Sequence, residues 1–179
     1  MRLALVVGLL VAAPLATSVA AQQPAQRPAP VPPPPQPAYA ADSTAVMQVV
    51  KDLFNGMRTR DTTLMRAQFH PSVTMRSASY DRTAKAVIDT DGAGEWLTGV
   101  AGAPATLLLD ERLGPPTVLV DGNLATVWVY YEFWGGDRFS HCGADLFTFG
   151  RTAEGWKAIF VADSRRMGAS CTPHLPKGS

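Results

Sequence analysis

From residue 105 onward the chain is a succession of β-forming runs divided by tight turn signals, and no other feature constrains the fold as much. Segments 106–113, 117–121, 124–133, 139–151 and 156–163 are rich in β-branched and aromatic residues. Gly114-Pro115-Pro116, Asp121-Gly122-Asn123, Gly135-Gly136-Asp137 and Ala153-Glu154-Gly155 separate them. Connections this short suit an antiparallel meander, since parallel strands need longer crossovers. Upstream, Val46, Val49, Val50, Leu53, Phe54 and Met57 recur at helical spacing and form one apolar stripe. Asp42, Ser43 or Thr44 is placed to cap that helix, and Asp61 to cap a short second one with Leu64, Met65 and Phe69 facing inward. Pro71 stops the second helix, a short strand is expected over 73–76, and a third helix over 95–100. Helices first and strands later predict an α+β domain with the helices on one sheet face.

The first part of the chain is different. Residues 1–41 carry only Arg2 and Arg27 as charged side chains, and eight of the 15 prolines fall between Pro24 and Pro37. Residues 1–21 read as a secretory signal peptide: Arg2, an apolar run over 3–13 closed by Pro14, and small residues leading to cleavage near Ala20 or Ala21. That run is too short to span a bilayer, which needs roughly 20 residues. Residues 22–41 are expected to form an extended Pro/Ala-rich linker, 42–167 the folded domain, and 168–179 a C-terminal tail. The mature protein is then exported, periplasmic or secreted, with no membrane span.

Two segments carry a resemblance. Asp61-Thr62-Thr63-Leu64 with Phe69-His70-Pro71-Ser72-Val73 resembles a segment of the nuclear transport factor 2-like superfamily, Ser72 standing where an Asp is usual. Phe147-Thr148-Phe149 with Gly155-Trp156-Lys157 is similar to that superfamily's closing hairpin. The likeness extends over about residues 44–166. It implies a cone: a curved antiparallel sheet wrapped around N-terminal helices, often leaving a pocket between them. The superfamily includes ketosteroid isomerases, scytalone dehydratase, polyketide cyclases resembling SnoaL, and members that only bind or dimerise, so the resemblance does not choose an activity.

Candidate site residues follow from strand alternation. A final hairpin centred between Ala153 and Glu154 sets Asp145 opposite Ala162 and puts His141, Asp145, Phe147 and Phe160 on one face, with Asp163 and Arg165 on the other. For the preceding hairpin, a four-residue loop over 134–137 puts Tyr130 beside His141, with Trp128 on the same face. The other register brings Val127, Val129, Tyr131 and Phe133 there instead. The first is preferred because it gathers ionisable groups among aromatics. His141, Asp145 and Tyr130 are thus the expected catalytic residues, and Trp128, Phe147, Phe160 and Trp96 the expected pocket lining. His141 and Asp145 lie about 13 Å apart along a regular strand, so they flank a ligand rather than form a dyad. Burial would raise the pKa of Asp145, which suits a general base. Asp163 is expected to pair with Arg165 or Arg166.

With a formal charge of +1 and no Lys/Arg run, nucleic acid is not an expected partner. Three His and two Cys without metal-ligand spacing give no expectation of a metal, and no cofactor motif occurs. Export and an even cysteine count suggest a Cys142–Cys171 disulfide, with two free thiols as the alternative. Both sheet faces are apolar, which suggests a homodimer through the sheet. The leading expectation is a pocket for a small hydrophobic ligand. The alternatives are a proton-transfer enzyme of isomerase, dehydratase or cyclase type, and a non-catalytic dimeric adaptor.

Overall fold

In the computed structural model, which describes residues 36–90 and 92–177, the stripe read from the sequence is the buried face of a long helix. The elements run α1 (Gln36–Thr59), α2 (Thr62–Ala67), β1 (Phe69–Tyr80), β2 (Ala86–Asp89), α3 (Ala93–Gly102), β3 (Leu109–Leu113), β4 (Thr117–Asp121), β5 (Leu124–Gly135), β6 (Arg138–Thr152) and β7 (Gly155–Arg166). A 3-10 turn, Gly168–Ser170, follows. Val46, Val50, Leu53, Phe54 and Met57 of α1 pack on Val127, Val129, Phe147, Phe149 and Ala158 of the sheet. The expected signal peptide and most of the expected linker lie outside the described residues.

α1 starts at Gln36, inside the 22–41 segment expected to be extended. Helical residues thus reach back to Gln36 among the described ones. Tyr39 Oη then donates to the Val118 carbonyl at 2.5 Å, which ties this turn to β4. Asp42 consequently caps nothing and instead pairs with Arg151. Asp61 does cap α2, its carboxylate accepting from the Leu64 N–H at 2.8 Å.

The sheet order is β2-β1-β7-β6-β5-β3, with β4 also pairing β5. All pairs are antiparallel except β1 with β7, so the sheet is mostly antiparallel, as expected, with one parallel pair. The long path from β1 to β7 permits parallel pairing there. β1 is also much longer than the expected 73–76, and Pro71 sits in its irregular stretch between Phe69 and Thr74, where a missing donor disturbs no ladder.

Two single-residue bulges decide which side chains face the helices. In the β5–β6 hairpin the turn is Gly136-Asp137 with Gly136 at φ +63°, not the expected four-residue loop. Trp134 pairs with Phe139 and Phe133 with His141, so Ser140 is an extra residue. In the β6–β7 hairpin the expected register holds next to the turn, with Phe149 opposite Ala158. Past Ile159, the second extra residue, it shifts, and Asp145 lies opposite Asp163 instead of Ala162. A one-residue shift exchanges the two faces of a strand. The first bulge turns Tyr131 and Phe133 inward and sends Tyr130 and Trp128 outward. The second brings Asp163 and Arg165 to the Asp145 face and takes Phe160 off it.

Close strand approach accompanies the shift. A Cβ on Gly143 would lie 1.6 Å from the Ser164 carbonyl oxygen, so only glycine fits. On the outer face the C-terminal tail crosses β5 and β6 as a strap. Cys142 and Cys171 are bridged, with Cα atoms 5.8 Å apart. Glu132, fully buried, accepts the backbone N–H groups of His174 at 2.6 Å and Leu175 at 3.1 Å. His174 stacks on Tyr130, with ring centroids 5.2 Å apart.

Two outcomes are expected. Replacing both Cys142 and Cys171 with Ala opens the covalent loop and lowers the unfolding free energy by about 3–4 kcal/mol in the chain-entropy view, measured by denaturant titration. Gly143→Ala forces backbone apart and costs about 3 kcal/mol or more, read in the same titration.

Candidate functional site

The inner face of β5, β6 and β7 forms a grid of side chains. Phe133 lies opposite His141, Tyr131 opposite Gly143 and then Arg165, Val129 opposite Asp145 and then Asp163, and Val127 opposite Phe147 and then Val161. β3 adds Glu111 opposite Phe133. Between this grid and the helices is a cavity of about 610 Å³, whose other walls are Phe54 and Met57 of α1, Met75 of β1, and Trp96 and Val100 of α3. Its size is that of ordinary small-molecule sites.

The apolar wall is continuous with the core. Phe54 meets Phe147 edge-on at 6.0 Å, and Trp96 packs beside Phe69 at 6.1 Å. The polar wall consists of Glu111, Tyr131, His141, Asp145, Asp163 and Arg165. Tyr131 Oη donates to Asp163 Oδ2 at 3.1 Å, and Arg165 Nε stands 3.6 Å from the same oxygen. Asp145 is only 5% exposed, and its Oδ2 has no hydrogen-bond partner. Among the described residues, no three His, Cys, Asp or Glu side chains converge closely enough to hold a metal ion.

Burial and crowding of acids set the protonation of this wall. Burial, reinforced by the neighbouring Asp163 charge, pushes Glu111 up to about 8. Asp145 is raised well above the carboxylate range by burial and by the charges of Glu111 and Asp163. Burial, then the same acids, raises Tyr131 far above its usual value. His141 is lowered to about 4 by burial and by the Arg165 charge, so its ring is neutral near pH 7. That ring lies edge-on to Tyr131 and tilted over Phe133, with Nδ1 3.0 Å from Ser140 Oγ.

Of the residues expected at a site, His141, Asp145, Phe147 and Trp96 line this cavity. Three do not. Tyr130 lies outside, under His174; Trp128 is 54% exposed on the outer face; Phe160 pairs with Thr148 on the side away from Asp145. The Ser140 bulge accounts for the first two and the Ile159 bulge for the third. Tyr131, the adjacent tyrosine, takes the inner position. Asp163 does pair with Arg165, but within the cavity wall. Glu111 was not singled out, although Leu109-Glu111-Leu113 set an acid at period two between apolar neighbours, the one signal that could have marked it.

No protein-family model and no curated protein matches the sequence. Solved structures do match the fold. A nuclear transport factor 2-like protein of unknown function from Pseudomonas putida superposes with TM-score 0.57 at 16% identity, over 78% of this chain and 96% of that one. One from Shewanella baltica gives TM-score 0.56 at 13% identity, over 73% and 98%. A proposed dehydratase of the same fold family from Streptomyces avermitilis gives 0.52 at 17% identity, over 72% and 99%. The chain thus has the nuclear transport factor 2-like α+β cone fold: N-terminal helices against a mostly antiparallel seven-stranded sheet.

The raised Glu111 predicts a pH signature. Between its ordinary 4.5 and about 8, the folded chain holds a proton that the unfolded chain has released, so stability falls as pH rises through that window. Glu111→Gln removes this dependence. Relative to wild type, the variant gains ~2–4 kcal/mol on going from pH 5 to pH 9, followed by urea unfolding. His141 acts on the acid side with the opposite slope: its folded pKa lies below 6.5, so the stability it contributes is lost as pH falls from 6.5 to 4.

Proposed function

We propose that this domain binds a small, largely apolar or aromatic molecule in the cavity between α1, α3 and the sheet, with one polar group of that molecule against Asp145 and Glu111. The observation carrying this reading is the unpartnered Asp145 Oδ2 on the wall of a cavity of about 610 Å³. A buried polar atom left unsatisfied costs about 1–3 kcal/mol, a penalty that a bound polar group relieves. Aromatic and aliphatic walls around a few polar groups are the usual composition of such sites. Export into an oxidising compartment belongs to the same reading, and the Cys142–Cys171 bridge supports it.

A second reading, proton transfer on the bound molecule, is favoured by one further observation. Burial pushes Glu111 up to about 8, beside a second acid, Asp145, that burial also raises well above the usual carboxylate value. A pair so poised can take up or give up a proton at little cost, as general acid–base chemistry requires. The similarity to a proposed dehydratase is compatible with this second reading and carries no weight beyond the fold.

Calorimetric titration with a panel of small aromatic alcohols, ketones and amines tests the proposal. Members of the panel bind, and Trp96→Ala weakens the best of them about tenfold, the loss expected when a large aromatic wall is removed. No binding by any member, or binding indifferent to Trp96, overturns the pocket reading. Deuterium exchange from solvent into a bound ketone, abolished by Asp145→Asn, establishes the second reading; binding without exchange excludes it for that ligand.

A further inference from the structure

The charges around the cavity are unevenly satisfied. α3 contributes Glu95, whose Oε2 accepts the Gly92 N–H at 3.2 Å as part of the helix cap. β1 contributes Arg76, exposed at the rim, where its Nη1 donates to the Met75 carbonyl. β7 contributes Asp163 and Arg165, which pair with each other. β5 contributes Tyr131, whose hydroxyl hydrogen is already given to Asp163 or to the Ser164 carbonyl. β6 contributes His141 and Asp145, and β3 contributes Glu111. Nearby, Arg58 and Arg112 are held by Asp110. Among the described residues, the ion pairs leave Glu111 and Asp145 out, and these are the two most buried acids of the wall, 9% and 5% exposed.

The innermost polar groups are therefore acids in excess, and one of their oxygens receives no donor. What completes them is a group that brings N–H donors and positive charge. On the reading that this cavity holds a small molecule, we propose that its polar group is a protonated amine, seated on Asp145 and Glu111 with its apolar body against Trp96, Phe133 and Phe147. The aromatic wall supports this independently, since the faces of Trp96, Tyr131 and Phe133 attract a cation that is removed from water. Arg165 pairs with Asp163 and is half exposed at the rim; its charge also reaches Glu111 and Asp145, but burial outweighs it at both acids. A metal cation is the poorer candidate, as no three ligating side chains converge among the described residues. A ligand carboxylate is repelled once Glu111 and Asp145 ionise and is accepted only while they hold protons to donate, so its affinity would fall as pH rises, opposite to an amine's.

The amine also has a proton signature. Its charge favours the ionised form of both acids, so binding releases protons from the wall, and affinity rises with pH until the amine itself deprotonates near 10. A neutral hydrogen-bond acceptor behaves in the opposite way, because it needs the acids protonated as donors.

The test is isothermal titration of the disulfide-bonded protein with two matched series: tryptamine, tryptophol and indole-3-acetate, and benzylamine, benzyl alcohol and benzoate. In each, the amine is expected to bind about tenfold tighter than the alcohol at pH 8, the difference between a charge-assisted and a neutral hydrogen bond, with the carboxylate weakest. Amine affinity falls about tenfold between pH 8 and pH 6, and heats measured in two buffers of different ionisation enthalpy show proton release. Asp145→Asn weakens the amine far more than the alcohol, so that the two bind about equally. If the alcohols or acids bind as tightly as the amines, or amine affinity does not fall with pH, the amine assignment is overturned and the pocket reading stands. If no member of either series binds, both fall together. The wild-type pH dependence decides the matter even if Asp145→Asn does not fold.

Discussion

Strand β6 pairs with both of its neighbours across a ladder that carries one extra residue on each side, Ser140 toward β5 and Ile159 toward β7. The rest of the structure depends on these two insertions. Side chains alternate along a strand, so each insertion exchanges inner and outer sets beyond it. Without the first, Tyr130 and Glu132 would face the helices. Without the second, Asp163 and Arg165 would face outward. On the same strand, Gly143 comes so close to Ser164 that no Cβ can be accommodated.

The two faces of β5 and β6 solve opposite problems with the same residue types. Outside, Glu132 is fully buried but satisfied: the strap supplies two backbone N–H groups, and the disulfide holds the strap in place. Arg112 lies opposite Glu132 on β3 and covers the Trp134 ring at 4.1 Å. Inside, Asp145 is nearly as buried and its Oδ2 has no donor. A buried acid needs hydrogen-bond donors for its oxygens; the outer face supplies them to Glu132, while on the inner face burial raises the pKa of Asp145 and its Oδ2 goes without one. That contrast separates a structural acid from a candidate ligand-binding one more clearly than burial alone.

Much of the architecture was legible in the sequence because it rests on periodicity and local chemistry. The apolar stripe of α1, the Asp61 cap, the strands after residue 105 and the two-cysteine bridge each follow from a few neighbouring residues or from an even cysteine count. His141, Asp145 and Phe147 were grouped by strand alternation, and Trp96 by its aromatic side chain, and all four line the cavity. The start of α1 at Gln36 was not legible, because the Pro-rich composition masks a helix that is held by a contact to Val118. The parallel β1–β7 pair was not legible either, because its partners lie far apart along the chain.

The exchange of Tyr130 for Tyr131, the loss of Trp128 and Phe160 from the cavity, and the arrival of Asp163 and Arg165 were decided by tertiary structure alone. A bulge costs little locally, leaves no strong mark in composition, and is selected by the curvature that closing a sheet over a helix demands. By itself, the sequence determined which segments become helix or strand and which residue types a pocket would draw on. Only the folded sheet decided which member of each adjacent pair faces inward, because that choice depends on a one-residue register that strand alternation cannot report.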